Sequence, residues 1–441
     1  MVMVQQDFKS ATKVDEIEDD GLQVTSYAEM EARIAENGKI AAAKRAEVAA
    51  RPGGLARFKE EVQFDPIVTE QNHKLIEDFK SGKLPAEMGA RILTAVDEKV
   101  GEFYEPYVAS FPIKAEQEAR GGLDAEAGEG FYGIVTERNF DPELKETYGE
   151  FREFMFTVRD PATNKAIGGM NFLVLPAKDG EPLEGKYAAT VHSTYVFFDP
   201  AHRSLGLARH LMDARDQLAA EYAAKVAPEA AAKSSHILTV SEQNIPELMD
   251  PVSFMTDSAF AVRQEQRLEK WYSLGYNRLN FEGQDYDGYV QPALEEGGEV
   301  CDVLSLNAYA AKVNFTSPIP IATGRERVDG LQASTLRHHL NGFFGTSVVG
   351  TADAGDASSP DHDPTMVDAL AKLDRMGNKV IPTFDYEQSM EKLTKLKAQI
   401  TDFLSTATPA EIHSEKQIIQ LIEEREARHR RPEAPKPTGL G

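Results

Sequence analysis

The residues best able to do chemistry stand in one run, Tyr195–Leu211. An apolar strand, Val196-Phe197-Phe198, runs into Asp199-Pro200, and a helix follows with small residues at Gly206 and Ala208. The first N–H groups of a helix have no intrahelical acceptor and carry the positive end of its dipole. A pyrophosphate set there collects several N–H bonds, and glycine at 206 lets it approach the backbone. Leu207 and Leu211 point the other way and anchor the helix to a sheet. Other phosphate and metal patterns are missing: there is no Gly-x-x-x-x-Gly-Lys-Ser/Thr, no Gly-x-Gly-x-x-Gly after a strand and no His-Glu-x-x-His.

The elements that must position this run follow from periodicity. Phe154–Val158 and Ile167–Leu175 flank the turn-rich Asp160–Lys165 and predict a hairpin. A third strand is expected over Tyr187–Phe198, then an amphipathic helix from about Leu205 to Ala224 with Leu207, Leu211, Leu218 and Tyr222 on one face. Ser235–Val240 reads as a fourth strand, parallel to the third across that helix. Gln264–Leu274 reads as a helix closed by Gly275, with Tyr276–Phe281 and Asp287–Val290 forming a last hairpin.

Residues 1–25 are acidic and polar and read as disordered. Ser26–Glu29 is a capping box that opens a helical extension over 26–59, whose apolar stripe (Met30, Ile34) is thin. Residues 60–295 form the expected core. Residues 296–349 give a weaker signal, 350–364 read as a linker, 365–430 as helical and 431–441 as a loose tail. Residues 245–262 look like an insertion.

Composition narrows the class. Of 441 residues 41% are apolar, enough for a sizeable core. The net charge of −24 argues against a nucleic-acid partner and suits a cationic one. Cys301 stands alone, so no internal disulfide and no all-cysteine zinc site can form. No apolar run is long enough to span a membrane, and the opening residues lack the parts of a secretion signal. The expectation is a cytoplasmic protein without a metal. Asp361-His362-Asp363 reads as a solvated loop, and His338 and His339 point to different faces of a helix.

Arg203-Ser204-Leu205-Gly206-Leu207-Ala208 resembles the Arg/Gln-x-x-Gly-x-Gly/Ala signature of the GNAT N-acetyltransferase superfamily. Phe111-Pro112-Ile113-Lys114-Ala115-Glu116 is similar to a stretch in that family's early helices, and Trp271–Tyr276 to the aromatic segment before its last hairpin. The resemblance covers about half the chain. It implies an α/β (α+β) fold with a central mixed sheet and flanking helices, joined here to a helical N-terminal extension and a largely helical C-terminal region. It implies acyl-CoA, acetyl-CoA in the first place, as co-substrate. Its pyrophosphate would rest on Arg203, Ser204, Leu205, Gly206, Leu207 and Ala208, its pantetheine arm on the strand at Val196 and Phe198, and Asn244 would lie near it.

In such an enzyme an amine attacks the thioester directly, helped by a base with a pKa near neutral. His192 stands on the third strand where the family commonly carries that base, although a lone strand histidine also reads as packing. Alternation would put it on one face with Thr194 and Val196, opposite Ser193, Tyr195 and Phe197. The family's thiolate acid is a tyrosine; here the aligned position holds Trp271, and Tyr272 lies one residue later, about 100° round the helix. The expected acceptor is an amine, a cationic small molecule or peptide. A non-catalytic module that binds acyl-CoA or a protein is the alternative, with the helical extensions as surfaces for a second copy or a protein partner.

Overall fold

Asp160 shows how local chemistry sets the sheet. Its carboxylate accepts from the Ala162 N–H at 2.8 Å and the Thr163 N–H at 3.3 Å, while Asn164 takes φ +55°. That turn folds β2 (Arg152–Arg159) back on β3 (Ala166–Pro176) as the expected hairpin, after the short edge strand β1 (Gln63–Pro66). The computed structural model describes residues 27–111, 117–125, 129–245, 264–286, 288–291, 304–348 and 364–406.

The remaining strands are β4 (Tyr187–Phe198), β5 (His236–Asn244), β6 (Asn277–Leu279), β7 (Leu304–Asn314), β8 (Ile321–Arg327), β9 (Gly330–Gln332) and β10 (Val380–Phe384). They form one ten-stranded sheet in the order β1-β2-β3-β4-β5-β7-β6-β10-β9, with β8 also on β7. Among the described residues every pairing is antiparallel except β4–β5, the pair joined by the helical crossover. The fold is thus mixed α/β, with helices on both faces of the sheet.

The helices are α1 (Tyr27–Ala50), α2 (Gly54–Glu61), α3 (Glu70–Lys80), α4 (Ala86–Ser110), α5 (Gly130–Thr136) and α6 (Pro142–Tyr148) before the hairpin. After β4 come α7 (Leu207–Val226), α8 (Pro228–Ala232), α9 (Gln264–Ser273), α10 (Ala333–Phe343), α11 (Pro364–Met376) and α12 (Tyr386–Thr406). One face of the sheet packs on α4, α5, α10 and α11 through Phe103, Tyr107, Phe131, Leu340, Phe343 and Leu373. The other packs on α1, α2 and α7 through Val48, Phe58, Leu211 and Ala219. α1 therefore uses its C-terminal half, with Ala41 and Val48 buried, to lie on the chain.

The third strand, its helix, the parallel fourth strand and the Gly275 stop (φ +103°) match expectation. The last hairpin does not. Residues 288–290 form no strand, and β6 pairs instead with β7 and β10. The signal of β7 was weak because Ala308, Ala310 and Ala311 are poor strand formers; burial between β5 and β6 overrides that. Residues past 295 thus add β7 to β10 to the sheet, beside the expected helices α11 and α12. Residues 1–25, Pro112–Glu116, 246–262, Cys301, Asp361–Asp363, the helix expected over 410–428 and the tail lie outside the described residues.

Arg215 of α7 is fully buried. It donates to Ser193 Oγ of β4 at 2.9 Å, to the Tyr309 hydroxyl of β7 and to Asp216 Oδ1 at 3.1 Å. Arg325 holds the second oxygen of Asp216 at 2.8 Å. Removing one partner of a buried ion pair strands the other. Asp216→Ala should therefore cost about 3–5 kcal/mol in urea unfolding; a loss below about 1 kcal/mol would show the network to be slack.

Candidate functional site

β4 and β5 pair at Tyr187–His236, Thr190–Leu238, Val191–Thr239 and His192–Val240, and no further. Beyond that point β4 stays on β3, and β5 stays on β7 through Asn244–Leu304. The two strands fork. On β4 the register with β3 jumps from Ser193–Phe172 to Tyr195–Asn171, leaving Thr194 as an extra residue in a bulge. The bulge reverses the expected face assignment. Tyr195 and Phe197 join Tyr107, Phe131 and Phe103 on the α4 face, while Val196 and Phe198 turn to the α2 and α7 side. His192 packs flat on Phe343, so it shares the face of Tyr195 and Phe197, not that of Val196. Alternation counts only while every residue is in register.

At the end of β4, Asp199 caps a tight turn by accepting from the Ala201 N–H at 2.7 Å. Arg203 folds back to donate from Nε to Phe198 O at 3.0 Å, and burial lowers its pKa to about 10. Ser204 (φ +66°) and Gly206 (φ +77°) both take left-handed backbone, and Gly206 caps α7. Left-handed residues at a helix entrance can turn backbone N–H groups toward an anion. Leu205 and Leu207 are buried in the core, so they can offer only backbone, and Ala208 packs near Met212. The helical extension closes over this loop. Arg45 donates to Ser204 O, and a Cβ on Gly206 would lie 2.8 Å from Lys59 Nζ.

At the fork's closed end, His192 and Glu242 meet, Nε2 to Oε2 at 3.8 Å. His192 Nδ1 is 3.1 Å from His339 Nε2, and His339 Nδ1 is 2.9 Å from Thr190 Oγ1. Glu242 accepts from the Tyr289 hydroxyl and from Gln291 Nε2 at 3.3 Å. Burial holds His192 well below the usual histidine range and pushes Glu242 up to about 7. Glu153 of β2 lies in the same cross-strand row as Leu173 and His192 and is also raised by burial. The face thus holds two carboxyls, Glu242 and Glu153, and two neutral imidazoles, His192 and His339, groups able to pass a proton between them.

Asn244 ends β5 opposite Leu304, on the open side of the fork. Tyr272 is not brought to His192: its ring lies under the Arg327 guanidinium, 3.9 Å away, and against Tyr386. Trp271 packs on Tyr276 as a core residue. His338 and His339 do diverge, but His339 turns out to be the partner of His192. Its place was readable, since Leu336, His339, Leu340 and Phe343 share one helical face. Glu242 interrupts the inward row Leu238, Val240 and was open to the same reasoning. Lys59 had no local signal. Among the described residues no group of three His, Cys, Asp or Glu could hold a metal ion, and no helix is long and apolar enough to cross a membrane.

No family model and no curated protein matches the chain. A solved structure of a Desulfovibrio desulfuricans protein assigned to the GNAT acetyltransferases aligns over 57% of this chain and 98% of its own, with 12% identity and a TM-score of 0.21. At that level of similarity the chain's own geometry carries the functional reading.

Buried histidines make stability depend on pH. Burial pushes His73, His338 and His339 down to about 3, about 4 and about 3, and His192 the same way. The unfolded chain takes up these protons below about pH 6.5 while the fold does not, so stability is present above that pH and lost as pH falls toward 4. Glu242 acts oppositely, costing stability as pH rises from about 4.5 through 7. Glu153 and Glu118, also raised by burial, act as Glu242 does, and the four histidines outnumber the three carboxyls, each group contributing up to about 1.4 kcal/mol per pH unit. The thermal midpoint should fall from pH 7 to pH 5; an unchanged midpoint would contradict this.

Proposed function

We propose that the chain is an acyl-CoA-dependent N-acyltransferase with a core over residues 60–295 completed by β7. The observation that carries the reading is the fork: β4 and β5 part at His192 and Val240, and β4 then leads directly to the left-handed turn and helix entrance at Ser204–Leu207. A nucleotide thioester with its pyrophosphate at that turn can lay its arm along β4 at Val196 and Phe198, past Asn244. Its carbonyl then comes to the closed end of the fork. Lys59 adds a cation beside the phosphates. Acetyl-CoA is the proposed donor.

The acceptor amine enters from the face of His192, Glu242 and Glu153, and the chain's net charge of −24 suits a cationic molecule or peptide. The amine nitrogen bonds to the acyl carbon and the C–S bond breaks. The surplus amine proton goes to His192, which burial makes a weak base, so that the proton must pass on to Glu242 beside it. The thiolate takes its proton from water or from Tyr272, which would have to leave Arg327 and Tyr386. That placement of Tyr272 favours a second reading, acyl-CoA binding without turnover. A lone cysteine fits a reducing, cytoplasmic setting.

Calorimetry with acetyl-CoA tests the reading. The natural chain should bind, and Gly206→Glu should lose at least tenfold through like charge and a filled cradle. Lys59→Glu should weaken binding roughly 5- to 30-fold, less so at high salt. No binding by the natural chain would end the proposal. Where binding holds, thiol release with a panel of amines should drop about 10²- to 10⁴-fold in His192→Ala with the KM for acetyl-CoA kept.

A further inference from the structure

α10 carries a histidine where its own packing asks for an apolar residue. Leu336, Leu340 and Phe343 surround the position with hydrocarbon, and His339 is fully buried among them. Desolvating an imidazole costs more than burying a leucine unless both nitrogens find partners. Both do: Nδ1 meets Thr190 Oγ1 and Nε2 meets His192 Nδ1. One helical turn on, Phe343 lies flat on the His192 ring, centroids 3.6 Å apart and planes 9° from parallel. His192 is thereby fixed at one nitrogen and on one ring face. Its Nε2 makes no hydrogen bond among the described residues, and Glu242 Oε2 stands 3.8 Å away.

We propose that His339 is a positioning residue for the transfer: it holds His192 in one orientation and one tautomer, with the Nε2 lone pair turned to the closed end of the fork beside Glu242. The inference rests on His192 being the base. Burial keeps His339 neutral, so it has one N–H and one lone pair. In the tautomer of His339 that donates Nδ1–H to Thr190, the Nε2 lone pair accepts His192 Nδ1–H, and the basic lone pair of His192 is left at Nε2. As the C–N bond forms and the C–S bond breaks, the amine proton passes to that atom, then to Glu242 Oε2 and out to water; the thiolate takes its proton from water.

The experiment uses the full chain with ¹⁵N-labelled histidine, whose long-range ¹H–¹⁵N spectrum distinguishes the two neutral tautomers. His192, assigned by its loss in His192→Ala, should show one neutral tautomer with Nδ1 protonated. In His339→Leu it should become a mixture or invert, and in His339→Gln, whose amide can still accept, it should persist. Thr190→Val, which removes the far partner with little change of volume, should also loosen it and covers the case in which His339→Leu does not fold. Where an acceptor is found, His339→Leu should lower kcat about 10- to 100-fold with the KM for acetyl-CoA unchanged, and His339→Gln should recover most of the loss. An unaltered His192 tautomer in the folded variants overturns the positioning role. A tautomer that shifts in His339→Leu, beside a natural chain that acylates no amine, overturns the transferase reading instead.

Discussion

Arg215 reaches from α7 to Ser193 on β4 and to Tyr309 on β7, and so straps together the strands on either side of β5. A fork between neighbouring strands is an unstable thing in a protein interior, because each parted edge holds backbone groups that want partners. Here β5 is held along its whole length by β7, and β4 by β3, so neither can swing across to close the gap. The buried cation, with Asp216 and Arg325 balancing it, fixes how far apart they stand. Everything proposed for the site presupposes that spacing.

The bulge at Thr194 then distributes the chemistry. Before it, His192 faces α10; after it, Tyr195 and Phe197 face α4 on the same side, and the strand's other side is left to Val196 and Phe198. Titratable groups gather on one face of the sheet, and the Ser204–Gly206 turn, with Lys59 and Arg45 beside it, lies on the other against the helical extension.

Much of this was legible. The limits of β4, the hairpin at Asp160, the helix entrance at Gly206 and the parallel return of β5 all follow from local pattern, since each is decided by neighbours in sequence. What escaped was decided at long range. β7 is built on alanines that become a strand only between β5 and β6, and the bulge leaves no mark because Thr194 is an ordinary strand residue. Lys59 reaches Gly206 across 147 positions of sequence by way of the fold alone. His339 and Glu242 were different: each breaks an apolar row, and that was a signal available to be read.

The strand order also bears on how the chain is made. β5 is finished at residue 244, but the strand that covers its free edge begins at residue 304, and β6 must wait for β10 at residue 380. At translation rates of about 5–20 residues per second, β5 stands uncovered for several seconds or more on the ribosome. Its inward residues Leu238 and Val240 are then open to any strand that passes.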